Sequence, residues 1–223
     1  MRYTFLRFSL FVTLLLAFLE ANNEQEGLTY LNTIREKTGL IKLKTNKALQ
    51  NAATFHANYL IQNQSNGHYE KKGKYSYTGI TPSQRVIKAG YPSTFVMENV
   101  SINTVGEKKT IDNLFSAIYH RFVFLNFDKD EIGFGFSSTK KKRKVKYAYV
   151  FNIGSSGIAE LCKRSFSLTN GVYYMKNICK QSSKMVPQSL FEATKDKVRR
   201  KNRDIIVYTY INKNEIWTAF YNN

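Results

Sequence analysis

The chain has 223 residues, 43% hydrophobic and 14% aromatic. That is enough apolar material for a packed core and excludes a disordered polyanion-binding tail. Lys and Arg number 34 against 16 Asp and Glu, a net charge of +18, which favours acidic partners without choosing among nucleic acid, anionic lipid, phosphates and acidic glycans.

The first segment, "MRYTFLRFSLFVTLLLAFLEANNEQ", carries Arg2 and Arg7, then an apolar run from Phe8 to Leu19, then Glu20 and Ala21. This is the charged start, short apolar centre and small-residue exit of a secretory signal, residues 1–21. The run is shorter than the roughly 20 apolar residues of a membrane span. An uncleaved anchor is the competing reading. Export to the periplasm or the extracellular space follows, with no transmembrane helix in the mature chain.

Four helices are predicted next. "EQEGLTYLNTIREK" places Leu28, Leu31 and Ile34 at helical spacing, with Gly39 as a stop. "KTNKALQNAATFHANYLIQNQSNG" is a longer helix with Thr45 or Asn46 as its cap, Leu49, Ala53, His56 and Leu60 on its inward stripe, and Gly67 at its end. "TPSQRVIKAGYP" has Thr81 as N-cap, Pro82 at the first helical position and Gly90 as the stop. "TIDNLFSAIYHRFVFL" reads as one helix from about Thr110.

The period then falls to two. "EIGFGFS" alternates through Ile132, Phe134 and Phe136, and "VKYAYVFNIG" through Val145, Tyr147, Tyr149 and Phe151. Both are strand patterns, and Phe95–Ile102 is a third. Helices followed by an antiparallel pair predict an α+β layered domain over residues 22–154. The five consecutive cations Lys140, Lys141, Lys142, Arg143 and Lys144 fall between the two strands. In an exported chain they are the tip of a β-hairpin rather than a nuclear address, and any partner is an acidic surface; no nucleic acid is expected.

Beyond a polar stretch at residues 155–157, read as a hinge, residues 155–223 form a small C-terminal α/β extension. It holds strand-like "GVYYMKNICK", a helical "PQSLFEATKDKVRRKNR" and a strand "DIIVYTYI". Cys162 and Cys179 are the only two cysteines. Even number, close spacing and an oxidising compartment point to one disulfide.

Three histidines are present. His56 sits on an inward helix stripe, the place of a core histidine with a hydrogen-bonded ring. His68 lies in "SNGHYE", His120 ends the fourth helix, and Glu98 stands in a mostly apolar strand, where a carboxylate is costly unless paired or facing a cleft. His68, Glu98 and His120 in one cleft would supply two nitrogens and a carboxylate, a feasible set for zinc or another divalent cation, or for proton transfer. Three unrelated polar residues is the alternative.

The order of motifs resembles the CAP superfamily (cysteine-rich secretory proteins, antigen 5, pathogenesis-related 1; the SCP-like domain) in its bacterial branch. The matching pieces are "LNTIREKTGLIKLKTNKALQNAATFHANYL", "NGHYE", "TPSQRVIKAGY", "MENV" and "YHRFVFLNFDKDEIGFGF", spanning about residues 27–154. The resemblance implies an α-β-α sandwich with a cleft lined by His68, Glu98 and His120. Met97 stands where the family's glycine precedes the glutamate, and no acid occupies the family's second glutamate position, Asp112 being two helical turns from His120. No GxSxG, cysteine nucleophile or HExxH accompanies the histidines. The resemblance implies a non-enzymatic binding module of the cell envelope or extracellular space, associated with lipid or glycan. A metal-dependent hydrolase using Glu98 and His120 is the alternative.

Overall fold

The computed structural model describes residues 26–202 and the backbone of 207–212 and 215–220. The secretory-signal reading of residues 1–21 lies outside them, as do the first residues of the "DIIVYTYI" strand. Among the described residues no helix is long and apolar enough to cross a membrane.

Helix α1 covers residues 26–37. The two-residue strand β1 (Lys44–Thr45) leads into α2 (Lys47–Asn63), then α3 (Pro82–Lys88), β2 (Met97–Ile102), α4 (Glu107–Ser116), α5 (Ile118–Phe124), β3 (Glu131–Ser138) and β4 (Tyr147–Gly154). The sheet order is β1-β3-β4-β2, with β2 on an edge. β3 and β4 pair antiparallel as the alternation predicts, with Phe134 opposite Phe151 and Ser138 opposite Tyr147. The cationic run therefore does lie in the hairpin loop between them.

Strand pleating sends successive side chains to opposite faces. On one face Ile132, Tyr149, Phe151 and Ile153 pack with Leu31 of α1 and with Ile111, Phe115 and Phe124 of α4 and α5. On the other, Ala148 and Val150 meet Ala53, Ala57 and Leu60 of α2. The result is an α-β-α sandwich. Small residues set how closely α2 approaches the sheet: a methyl added at Gly133 would overlap the backbone of Leu49 and Gln50, and one at Gly135 that of Ala53 and Thr54.

Asn46 is the cap of α2, its Oδ1 accepting from Ala48 N at 3.0 Å. The helix stops earlier than Gly67: Gln64 turns left-handed at φ 52° and returns its N–H to Leu60 O. The single helix predicted from Thr110 is two, because Ala117 is extended (φ −97°, ψ 125°). Tertiary bonds hold α5 at its new angle, Arg121 Nε donating to Phe115 O at 2.9 Å and Asn99 Nδ2 to His120 O at 2.9 Å.

Residues 155–157 open a helix rather than a hinge. α6 (Ser156–Leu161) starts there, and Ser156 N donates to Asp130 Oδ1 at 2.7 Å. The "GVYYMKNICK" stretch forms only β5 (Tyr174–Met175), paired with β6 (Val186–Pro187), because Asn177 adopts φ 58° and breaks the extended run. α7 (Gln188–Arg199) and the hairpin of β7 (Val207–Asn212) and β8 (Glu215–Phe220) follow. Cys162 and Cys179 are joined, Cα atoms 5.2 Å apart, inside an apolar cluster with Ile158, Leu161, Ile178 and Phe191.

That cluster is seated against the domain. Lys180 N donates to Pro92 O at 2.8 Å and Thr94 N to Ile178 O at 3.0 Å. Phe95 meets Phe191 edge to face at 5.2 Å, and Arg199 Nε donates to Asp128 Oδ1 at 2.5 Å.

Candidate functional site

Glu98 lies on edge strand β2 opposite Asn152 of β4, which turns its side chain toward the α2 face. His68 comes from the loop after α2 and donates from Nδ1 to Glu98 Oε1 at 3.0 Å. Arg85 of α3 reaches the same carboxylate, its Nη2 lying 2.9 Å from Oε1 and 2.8 Å from Oε2. With its amide oriented by its neighbours, Asn152 donates to Oε2 at 3.0 Å and accepts from Ala53 N at 3.1 Å. A carboxylate offers roughly four lone-pair sites, and these contacts use them all.

Beneath Glu98 is a second carboxylate. Glu70 is buried and accepts from His56 Nδ1 at 2.9 Å, from Thr78 N at 2.6 Å and from Gly79 N at 3.2 Å. Burial pushes this carboxyl up, but the His56 hydrogen bond, the Thr78 amide and the Arg85 charge together hold it below the ordinary range. His56 is a core histidine, as its helix position predicts, with both ring nitrogens occupied: Nε2 lies 3.0 Å from Gly67 O. Gly67, at φ +89°, makes the turn that delivers this carbonyl. Arg85 is fully buried between the two carboxylates, its Nε 3.8 Å from Glu70. Its Nη1 donates to Gly79 O and Ile80 O, both at 3.3 Å.

His120 enters from the other side of the edge strand. Asn99 points away from Glu98 and accepts from His120 Nδ1 at 2.8 Å. Burial, and then the neighbouring charge of His68, lower the His120 pKa below its ordinary value. Two adjacent residues of edge strand β2 thus hold the two histidines, Glu98 holding His68 and Asn99 holding His120. His68 and His120 both have Nδ1 held by a neighbouring side chain, which orients each ring and leaves Nε2 as the nitrogen free to meet a ligand. Among the described residues neither Nε2 has a hydrogen-bond partner.

As a metal set the trio is incomplete. Among the described residues no group of three or more His, Cys, Asp or Glu is placed to hold a metal ion. Glu98's oxygens are taken up by Arg85, Asn152 and His68, so two imidazole nitrogens remain as donors, short of the three or four protein ligands of a zinc centre. Asp112 does not compensate, since Tyr30 Oη donates to it at 2.5 Å.

Sequence reasoning missed Glu70, Arg85, Asn99 and Asn152. The signals were present but local and weak: Glu70 two residues after His68 in "NGHYE", and Arg85 inside "TPSQRVIKAGY". Two adjoining cavities of about 380 and 390 Å³ lie on the far face of the sheet, beside α1 and Phe134, Phe136 and Tyr149, and neither is lined by the cleft residues.

Residues 28–153 match the family model described as the cysteine-rich secretory protein family, CAP. Among solved structures, the chain is similar to an outer surface protein from Borrelia burgdorferi, at 19% identity and a TM-score of 0.52, covering 60% of this chain and 92% of that one. It is also similar to an extracellular protein containing an SCP domain from Bacillus anthracis, at 17% identity and a TM-score of 0.50, covering 59% of this chain and 40% of that one. At these identities the likeness is one of fold. The comparison with curated proteins returns no match.

Proposed function

Because the chain belongs to the cysteine-rich secretory protein (CAP) family, we propose that it is an exported binding module of the cell envelope or extracellular space, and that it works without bond-making chemistry of its own. One observation carries the reading: every acceptor position of Glu98 is already used by Arg85, Asn152 and His68. A general base must have a lone pair to receive a proton and reach to take it, and Glu98 is instead a fixed part of the cleft wall. What the cleft offers a ligand is the pair of imidazole Nε2 atoms of His68 and His120, suited to hydrogen bonding with hydroxyl groups of a glycan or a lipid headgroup. Among the described residues a divalent cation finds only those two nitrogens at the cleft. The extracellular relatives and the Cys162–Cys179 disulfide support placement outside the cytoplasm, with residues 1–21 as the export signal.

Calorimetric titration of the purified protein with zinc tests the cleft, using His68→Ala/His120→Ala and Glu98→Gln variants whose folding is checked by circular dichroism. Weak zinc binding that vanishes in the double variant and survives Glu98→Gln is the expected outcome. A tight site that requires Glu98 would make the carboxylate a ligand and bring back the metal-dependent hydrolase. Fractionation of expressing cells tests placement, with the expected product found outside the cytoplasm and lacking residues 1–21.

A further inference from the structure

The cationic hairpin does not stand alone. The end of α2 ties two other segments to it. Gln64 bridges to the hairpin, donating from Nε2 to Val145 O at 3.2 Å and accepting from Val145 N at 3.0 Å. One residue earlier, Asn63 Nδ2 donates to Tyr75 O at 2.8 Å, and Ser76 Oγ donates to Gln62 Oε1 at 2.7 Å. The 71–76 loop and the 139–146 loop are thus pinned to consecutive residues of one helix terminus. They bring Lys71, Lys72 and Lys74 to the same end of the domain as Lys140–Lys144 and Lys146, all of them exposed.

Charge balance at this end is one-sided. Segments 61–78, 99–104 and 137–149 hold a single carboxylate, Glu70, and that one is buried inside the cleft network. Among the described residues none of these nine cations has a carboxylate partner. The adjacent start of α4 adds Glu107 together with Lys108 and Lys109. Within the 71–76 loop the Tyr75 side chain is 81% exposed, and Tyr69, just before the loop, is 68% exposed.

We propose that this end of the domain docks on an anionic lipid bilayer. Eight of the nine cations are lysine, point charges without the bidentate fork that recognises a particular phosphate, so they fit a diffuse field of headgroups. The surface is made of two exposed loops tied to one helix end, which suits a broad partner surface. A strand of nucleic acid is usually held in a groove lined with several stacking aromatics. Tyrosine is the side chain that settles at a water–lipid boundary, ring in and hydroxyl out. At cytoplasmic leaflets four to eight clustered cations suffice to bind anionic lipid, and the nine here would act by the same electrostatics on an anionic bilayer surface outside the cytoplasm. The proposal rests on placement outside the cytoplasm, and it is independent of what the histidine cleft binds.

Co-sedimentation of the purified protein with vesicles tests it, comparing phosphatidylglycerol/phosphatidylcholine with phosphatidylcholine alone. Binding is expected only to the anionic vesicles and should fall as salt shortens the Debye length. Two surface variants, Lys140→Gln/Lys141→Gln/Lys142→Gln and Lys71→Gln/Lys72→Gln/Lys74→Gln, should each weaken binding by about fivefold per lysine, on the order of a hundredfold in all. His68→Ala/His120→Ala should bind vesicles like the parent, which separates failure of the cleft reading from failure of this one. Equal binding to neutral vesicles would overturn the proposal. So would full binding by the 71–74 variant, or capture of heparin or an oligonucleotide without vesicle binding at matched salt.

Discussion

Replacing Arg85 with Met should be among the most destabilising single substitutions near the cleft. The guanidinium is fully buried and serves two buried carboxylates, Glu98 within 2.9 Å and Glu70 at 3.8 Å. Removing one partner of a buried pair costs about 3–5 kcal/mol because the other charge stays behind uncompensated. Met fills nearly the same volume, so the cavity contribution is small. With two carboxylates exposed to the loss, the expected cost sits in the upper half of that range, about 4–5 kcal/mol. A urea slope of about 2 kcal/mol per molar turns this into a midpoint lower by roughly 2 M, read by circular dichroism at neutral pH.

Two internal controls sharpen the test. Arg85→Met/Glu98→Gln should recover part of the loss, since it removes a stranded charge. The cost should also shrink on acidification: Glu70's carboxyl is held low in the folded state, so its stabilisation is present above the ordinary glutamate pKa of about 4.3 and is lost as pH falls below it. A loss no larger than the roughly 0.5 kcal/mol of a surface substitution, or a cost independent of pH, would refute the network as described.

Lys129 gives a second pH signature: burial, only partly offset by Asp128, pushes its ammonium down to about 7. The unfolded chain then binds the extra proton above that pH, so stability should rise between pH about 7 and the unfolded lysine value of about 10.4, and Lys129→Met should flatten that slope in denaturant titrations. Gly135→Ala should cost at least 1–3 kcal/mol, roughly the penalty of overpacking, because the new methyl meets the α2 backbone; a thermal scan reads it. Cys162→Ser/Cys179→Ser should lower stability by about 3 kcal/mol on the chain-entropy model, with earlier tryptic cleavage between α6 and α7.

The elements most legible in the sequence were those whose pattern is local. The inward stripe of α2, the Thr81–Pro82 start of α3 and the two-residue alternation of β3 and β4 follow from spacing alone, and so did the hairpin position of Lys140–Lys144. The α4–α5 break was hidden because Leu114, Phe115 and Ile118 keep helical spacing across it, while the bonds that bend the chain come from Asn99 and from Arg121 reaching back. The motifs pointed to His68, Glu98 and His120, and the structure sets His68 on Glu98 and His120 on the neighbouring Asn99. Its support was not: Arg85 is buried only because Glu70 and Glu98, from a loop before it and a strand after it, close on it from both sides. Nothing in "SQRVIK" marks that arginine as interior rather than solvated.

The residues just upstream of Glu98 are fixed by the far end of the chain. Pro92, Thr94 and Phe95 are held by Lys180, Ile178 and Phe191, and Lys129 Nζ donates to Phe95 O at 3.1 Å. A fragment trimmed at the family boundary, residue 153, would keep every cleft residue and yet lose the brace that sets where β2 begins. Ligand screens run on that shortened fragment would be probing a different geometry, with Phe95 newly exposed as a sticky patch beside it.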